Sequence, residues 1–86
     1  MIEIEYAPAF LNQLKKLPTD LQHEAIEKIT LLKSRTNHRQ LKVHKLKGKM
    51  AGKSSFSVNY SYRIVFKWLS DDAVGLLAIG DHDIYN

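Results

Sequence analysis

The stretch that decides the fold reads YRIVFKWLSDDAVGLLAI and spans residues 62–79. Its first part, residues 62–68, is rich in β-branched and aromatic residues, which is typical of a β-strand. The polar residues 70–72 indicate a turn, and the near-continuous apolar run 73–79 is typical of an interior strand. Because the connection between them is short, the two strands are predicted to pair antiparallel, with Gly80 ending the second.

Two further strands and two helices are predicted upstream of this hairpin. Residues 2–6 and 56–60 alternate between apolar and polar side chains, the pattern of a strand with one buried face. Pro8 suits the first turn of a helix, whose apolar stripe is predicted to be Phe10, Leu11, Leu14 and Leu17. Pro18 ends this helix, and Thr19 is predicted to cap the next one in a capping box with Gln22. The buried side of the second helix is predicted to be Leu21, Ala25, Ile29 and Leu32, with Ile26 beside them.

The element order β-α-α-β-β-β predicts an α+β fold. A two-helix hairpin is expected to pack on one face of a mostly antiparallel four-stranded sheet. The chain has 86 residues and contains no repeat or long linker, so residues 1–86 are predicted to form a single domain.

The alternation along the strands also predicts what the other face of the sheet carries. The side chains expected under the helices are those of Phe56, Val58, Tyr60, Tyr62, Ile64, Phe66 and Trp68. Those expected on the opposite side are Ser57, Asn59, Arg63, Val65, Lys67 and Leu69. This opposite face is therefore predicted to be cationic and polar. A guanidinium on such a strand either holds phosphate oxygens bidentately or shields apolar surface.

Charge is distributed unevenly along the chain. The net charge is +4, and no Asp or Glu occurs between Lys28 and Ser70, where 11 of the 13 Lys and Arg residues lie. This distribution predicts a surface that binds a polyanion, with nucleic acid as the main candidate, although a solvated lysine-rich surface is the alternative. The absence of cysteine excludes disulfides and cysteine nucleophiles, and no run of apolar residues is long enough for a membrane span. Because the first residues also lack the pattern of a secretory signal, a cytoplasmic protein without membrane contact is expected.

The histidines are the remaining candidates for chemistry. They are His23, His38, His44 and His82, and no two have the spacing that places metal ligands on one helix face, so neither a metal nor another cofactor is expected. His82 follows the predicted interior strand, between Asp81 and Asp83 and three residues before Tyr85. It suits proton transfer at a strand end, although an ordinary surface histidine is the alternative. His44 opens the basic run HKLKGK at residues 44–49, which is either a nucleic-acid contact or a solubilising loop.

Taken together, these features resemble the RelE/ParE toxin superfamily of bacterial toxin–antitoxin modules over essentially the whole chain. The stretches that carry the resemblance are LKGK at residues 46–49, YRIVF at residues 62–66 and IGDHDIY at residues 79–85. The final Gly-x-His-x-x-Tyr pattern, and a histidine just before the Leu-x-Gly motif, are most similar to the YafQ and RelE-type messenger-RNA interferases. Where RelE carries lysines on the first strand after the loop, this chain has Ser57 and Asn59.

The resemblance implies a metal-independent endoribonuclease that cuts messenger RNA in the ribosomal A site and is neutralised by a cognate antitoxin protein. Its chemistry would be the attack of a ribose 2′-OH on the adjacent phosphate. By motif match, His82 would be the general acid or base, with His44 as a second proton-transfer group or an orienter of the substrate. Arg63 would stabilise the transition-state charge, and Tyr85 would orient or stack on a base. The implied RNA-binding lysines are Lys45, Lys47, Lys49, Lys53 and Lys67. Two alternatives stay open: a ParE-type inhibitor of DNA gyrase, and a member without catalysis that only binds an antitoxin.

Overall fold

The architecture is a mixed five-stranded sheet with two helices on one face. The computed structural model describes residues 1–85, except for the side chains of His82 and Tyr85. The strands are β1 (Glu3–Tyr6), β2 (His44–Lys45), β3 (Ser54–Ser57), β4 (Arg63–Ser70) and β5 (Ala73–Gly80), and the helices are α1 (Pro8–Lys15) and α2 (Thr19–Leu32). Three short 3₁₀ turns lie at Arg35–Asn37, Gly48–Met50 and His82–Tyr85. The predicted α+β class and the helical hairpin are confirmed.

The sheet has one strand more than predicted. Its strand order is β1-β5-β4-β3-β2, in which β1 and β5 are parallel and the other pairs are antiparallel. The additional strand, β2, has two residues, which is too short for alternation to appear in the sequence, and it exists because it pairs with β3. The parallel pairing of β1 with β5 is possible because the helices and the rest of the sheet separate these strands along the chain. The expectation of four strands was therefore wrong.

The helices bury narrower stripes than predicted. Phe10 in α1 is fully buried, as are Ala25 and Leu32 in α2, but Leu11 is 38% exposed and Ile26 is 51% exposed. The capping box at the start of α2 was also wrong. Thr19 is the first residue of the helix, so it does not cap it. The N-cap position is occupied by Pro18, with φ -54° and ψ 148°, and no side chain caps the helix there.

Gln22 instead ties the two helices together. Its side-chain amide donates to the carbonyl of Leu17 at 2.7 Å and to that of Lys15 at 3.4 Å. These carbonyls belong to the end of α1 and the link after it, where no intrahelical N–H group is available as a hydrogen-bond donor. Gln22 thus stabilises the corner of the helical hairpin rather than its own N-terminus.

The core lies between the helices and one face of the sheet. Its largest fully buried side chains include Phe10, Phe56, Phe66, Leu32 and Leu41. The rings of Phe56 and Phe66 meet edge to face with their centroids 5.7 Å apart. Among the described residues, no helix is long and apolar enough to cross a membrane.

Three side chains differ from the prediction in how exposed they are. Tyr60 is 93% exposed, because β3 ends at Ser57 and Tyr60 belongs to the turn that leads to β4. Val65 was expected on the open face but is buried. The 3₁₀ turn His82–Tyr85 contacts both β4 and β5 and covers part of that face. Trp68 lies on the helix side as predicted but remains 36% exposed.

Candidate functional site

The candidate site is the sheet face opposite the helices, which we call the second face. The register places His44, Ser55, Val65 and Ala78 in one row across β2, β3, β4 and β5. A neighbouring row consists of Ser57, Arg63 and Gly80. Since residues paired across strands share a face, these side chains point away from the helices. Lys67 lies on the same face, about 13 Å from Arg63 along β4.

Arg63 occupies the end of the second face at the turn between β3 and β4. Its Nη1 donates to the carbonyls of Asn59 at 2.7 Å, Tyr62 at 3.1 Å and Tyr60 at 3.2 Å. A guanidinium has five N–H groups, two of them on Nη1, so the remaining three are carried by Nε and Nη2. Arg63 is therefore a half-buried charge fixed by the backbone, which differs from the free surface cation that the alternation alone suggests.

Asn59 makes the same turn rigid from the other side. Its side-chain oxygen accepts hydrogen bonds from the N–H groups of Ser61 and Tyr62, each at 2.8 Å. Its amide nitrogen donates to a carboxylate oxygen of Glu24 in α2 at 2.7 Å. Asn59 was expected only as a polar residue of the second face. It is instead the residue that fixes the turn on which Arg63 depends.

His44 lies at the edge of the second face, exposed and oriented by one hydrogen bond. Its Nδ1 lies 2.9 Å from the carbonyl oxygen of Lys42, a residue in the left-handed region with φ 59°. A carbonyl can only accept, so Nδ1 carries the hydrogen, and Nε2 holds the lone pair when the ring is neutral. The Cα atoms of His44 and Arg63 are about 12 Å apart by strand spacing and register. Both side chains thus flank Ser55, which is buried, and Ser57, which is half-buried.

His82 begins the last 3₁₀ turn, two residues after Gly80. Gly80 pairs directly with Arg63, so the predicted hairpin is confirmed and the chain reaches His82 at the Arg63 end of the sheet. The side chains of His82 and Tyr85 lie outside the described residues, so their proposed roles stay predictions. The turn folds against the sheet where Ile84 contacts Gly80, and a Cβ at Gly80 would collide with the Ile84 side chain.

The predicted RNA-binding lysines do not form one patch. Lys67 lies on the second face, while Lys47 and Lys49 are exposed at the tip of the loop between β2 and β3. Gly48 and Gly52 turn this loop with positive φ angles of 65° and 89°. Lys45 pairs with Ser54, which shares the helix side with Phe56 and Phe66. Lys45 therefore lies on the opposite side of the sheet from Arg63, where it lines a groove together with Lys53 and Trp68.

His38 lies outside the second face, and its hydrogen bond accounts for its position. Its Nε2 donates to the carbonyl of Leu32 at 2.8 Å, and Asn37 donates to that of Leu31 at 2.9 Å. Both satisfy carbonyls at the C-terminus of α2, so His38 has a structural role. Among the described residues, no three His, Asp or Glu side chains are grouped so that they could hold a metal ion.

One cluster near the basic loop was missed in the sequence. The guanidinium of Arg35 lies over the ring of Trp68, with its central carbon 4.7 Å from the ring centroid. Trp68 was assigned to the core because of the alternation along its strand. Its sequence signal was weak: a large aromatic near the end of a strand, where the covering helices run out.

Comparisons with known proteins place the fold. No protein-family model matches the sequence, and no curated protein sequence matches it. Solved structures do match in three dimensions. YafQ from Escherichia coli has a TM-score of 0.75 at 20% identity and covers 99% of this chain and 98% of its own. The toxin–antitoxin complex RelBE2 from Mycobacterium tuberculosis matches with a TM-score of 0.74 at 18% identity, covering 94% of this chain and 98% of that chain.

A third match is the YoeB–YefM complex from Staphylococcus aureus. Its TM-score is 0.73 at 17% identity, and the alignment covers 95% of this chain and 98% of that chain. These alignments run over nearly the full length of both partners, so the likeness concerns the whole architecture. The chain has the fold of the RelE/ParE toxin superfamily.

Proposed function

We propose that this chain is the toxin of a type II toxin–antitoxin module and cleaves messenger RNA in the ribosomal A site without a metal ion. The observation that carries the proposal is the second face. A RelE-type fold here holds a fixed arginine and an oriented histidine on one sheet surface, with His82 following the strand paired to Arg63. A cation and proton-transfer groups at one end of a sheet are what cyclising RNA cleavage requires, and this supports the proposal.

Arg63 is proposed to stabilise the transition state. In the reaction the 2′-oxygen forms a bond to phosphorus as the bond to the 5′-oxygen breaks, and negative charge builds up on the non-bridging oxygens. Because Nη1 is held by three carbonyls, the plane of the guanidinium is fixed before the substrate arrives. Nε and Nη2 are then the donors for two parallel hydrogen bonds to those oxygens. Such preorganised charge is among the largest contributions to catalysis.

His44 and His82 are proposed to transfer the protons. His44, with its lone pair on Nε2, takes the proton of the 2′-OH, and His82 gives a proton to the departing 5′-oxygen. The products are a 2′,3′-cyclic phosphate and a 5′-OH. His44 lies at the β2 edge of the second face, and His82 follows β5 at the end where Gly80 pairs with Arg63.

The remaining residues are proposed to bind and orient the RNA. Tyr85 orients or stacks on a base, and Lys67 neutralises a phosphate on the second face. The RNA backbone passes the loop tip, where Lys47 and Lys49 are exposed. Glu3 and Glu5 are on β1, at the far edge of the sheet from β2, so these two acids lie away from this path.

The proposed partner is a cognate antitoxin in the cytoplasm. The structure of RelBE2 from Mycobacterium tuberculosis is that of a toxin–antitoxin complex, and it shares the fold over nearly the whole chain. A segment rich in acidic residues fits the second face by charge, since no acid occurs between Lys28 and Ser70. Such a partner blocks access of RNA to Arg63 and His44.

The test is induced expression followed by mapping of transcript 5′ ends. Wild-type protein is expected to produce new 5′-OH ends inside translated regions, in phase with the reading frame. His82→Ala at equal protein level is expected to lower their frequency about a hundredfold, because the leaving oxygen loses its acid. Intact transcripts in cells that nevertheless die, with gyrase-dependent DNA breaks, would identify the gyrase-inhibitor alternative. An unchanged cutting frequency in His82→Ala would remove this histidine from the mechanism.

A further inference from the structure

A groove on the helix side of the sheet combines an aromatic ring with two lysines. We call it the Trp68 groove, with a volume of about 360 Å³, and its lining residues are Lys45, Leu46, Gly52, Lys53, Ser54 and Trp68. It lies beside the β2–β3 pair, on the opposite side of the sheet from the second face. The mechanism proposed above does not use its aromatic ring.

The ring of Trp68 is held in place by its neighbours. Phe66 meets it edge to face at a centroid distance of 6.0 Å, and Arg35 covers it at 4.7 Å. Arg35 is itself anchored, because its Nη2 donates a hydrogen bond to the carbonyl of Asp71. The ring nevertheless keeps 36% of its surface exposed. An exposed ring that is already immobilised loses little entropy when a flat ligand stacks on it.

The charge around the groove is positive. Lys45 and Lys53 line it, and Arg35 lies over the ring in a neighbouring pocket that Asp71 also lines. None of the described residues that line the Trp68 groove is acidic. The Lys ammonium groups are point charges on flexible stems, which suits contacts with phosphates whose position varies.

We propose that the Trp68 groove binds one unpaired nucleotide of RNA, with its base stacked on Trp68 and the adjoining phosphates on Lys45 and Lys53. Aromatic rings flanked by cations are how proteins hold single-stranded nucleic acid without reading its sequence. The nucleotide is not the one being cleaved, since Arg63 and His44 are on the other face. That the ligand is RNA rests on the proposed function, and the groove deepens it by adding a contact that holds the flanking strand.

An RNA strand that contacts both the second face and the Trp68 groove has to pass around the edge of the sheet. The loop between β2 and β3 joins them, and Lys47 and Lys49 are exposed at its tip. A strand leaving the second face passes these two lysines before it reaches Lys45 and Lys53. An acidic protein segment is the competing occupant by charge. The groove is lined by six residues, far fewer than the roughly 20–30 residues a side of a standard protein interface, which favours a single nucleotide as its occupant.

The chain contains one tryptophan, so its fluorescence reports directly on the groove. The probe is a short single-stranded 2′-O-methyl RNA, which lacks the attacking hydroxyl and therefore binds without being cut. Titration is expected to quench the fluorescence of Trp68 in a saturable way, because a stacked base contacts the ring. A poly-glutamate peptide at the same concentrations is expected to leave the fluorescence unchanged.

Two substitutions separate stacking from packing, with affinity measured by anisotropy of labelled RNA. Trp68→Leu keeps an apolar side chain against Phe66 but removes the aromatic face, and it is expected to weaken binding about 5- to 150-fold. Trp68→Phe keeps a ring and is expected to retain most of the affinity. Thermal unfolding of both variants checks that the fold persists, and if Trp68→Leu does not fold, the quenching titration of the wild type decides.

The outcomes of these experiments test nucleotide binding in the Trp68 groove separately from the proposed cleavage of messenger RNA. Quenching by RNA without cleavage of messenger RNA in cells supports the groove and contradicts the nuclease. Cleavage without quenching, or with full affinity in Trp68→Leu, overturns the groove and leaves the nuclease in place. Quenching by the acidic peptide but not by RNA overturns the proposal and assigns the groove to a protein partner.

Discussion

The second face and the Trp68 groove are both cationic, but they are built differently. On the second face, backbone carbonyls fix the charge of Arg63 and orient the ring of His44. In the Trp68 groove, an aromatic ring is fixed while the charges sit on two lysines. Fixed groups suit a transition state of defined geometry, whereas mobile cations around a ring suit a flexible strand of any sequence. Under the two proposals, the chemistry would lie on the second face, and the Trp68 groove on the other side of the sheet would hold a flanking strand.

The largest effect is expected from the second face. Arg63→Ala is expected to lower the cleavage rate by about two orders of magnitude or more, because the phosphorane oxygens lose their charged donors. The same change removes three hydrogen bonds from the 59–62 turn, so the free energy of unfolding is expected to fall by about 1–3 kcal/mol. Cleavage of a ribosome-bound message and thermal unfolding measure the two effects.

Asn59→Ala is the matched control, because it loosens the same turn without removing a charge. It is expected to lose similar stability but to keep a cleavage rate within about tenfold of the wild type. If Asn59→Ala and Arg63→Ala lose cleavage equally, Arg63 acts by holding the turn and the division between chemistry and binding fails on this side.

A smaller loss is expected at the edge of the second face. His44→Ala is expected to lower the cleavage rate by about a hundredfold, the lower end of what a proton-transfer group contributes. His23→Ala removes an exposed histidine from α2 and is expected to leave the rate unchanged. Equal rates for the two variants would show that the hydrogen bond from His44 to Lys42 is structural and that the second face has one proton-transfer group fewer.

The smallest effect is expected in the salt dependence of binding. The double variant Lys45→Ala/Lys53→Ala removes two phosphate contacts, so the slope of log affinity against log salt is expected to become shallower by about 1.4. Lys15→Ala/Lys16→Ala removes the same charge from the end of α1 and is expected to leave the slope unchanged. Equal slopes in the two double variants would mean that Lys45 and Lys53 make no direct phosphate contacts and act only through the overall positive charge of the protein.

Much of the fold was predictable because its signals are local. The hairpin predicted over residues 62–79 appears as β4 and β5, and the helical hairpin appears as α1 and α2. Alternation and helical spacing depend on neighbours a few residues away, so one sequence is enough to show them. The two-residue β2 and the parallel pairing of β1 with β5 are not local, since they exist only through a partner distant in the chain.

The same distinction between local signals and contacts of distant residues applies to the candidate site. By itself, the sequence determined that the cations of residues 28–70 are free of acids and that Arg63 lies at the end of the sheet near His82, because a short hairpin leaves one register. Only the tertiary structure decided that Arg63 is fixed by the carbonyls of its turn. It also decided that Lys45 and Lys53 line one groove with Trp68, whose ring Arg35 covers. The physical reason is that charge and periodicity belong to the chain, whereas the side of a sheet on which distant residues meet depends on strand pairing and packing.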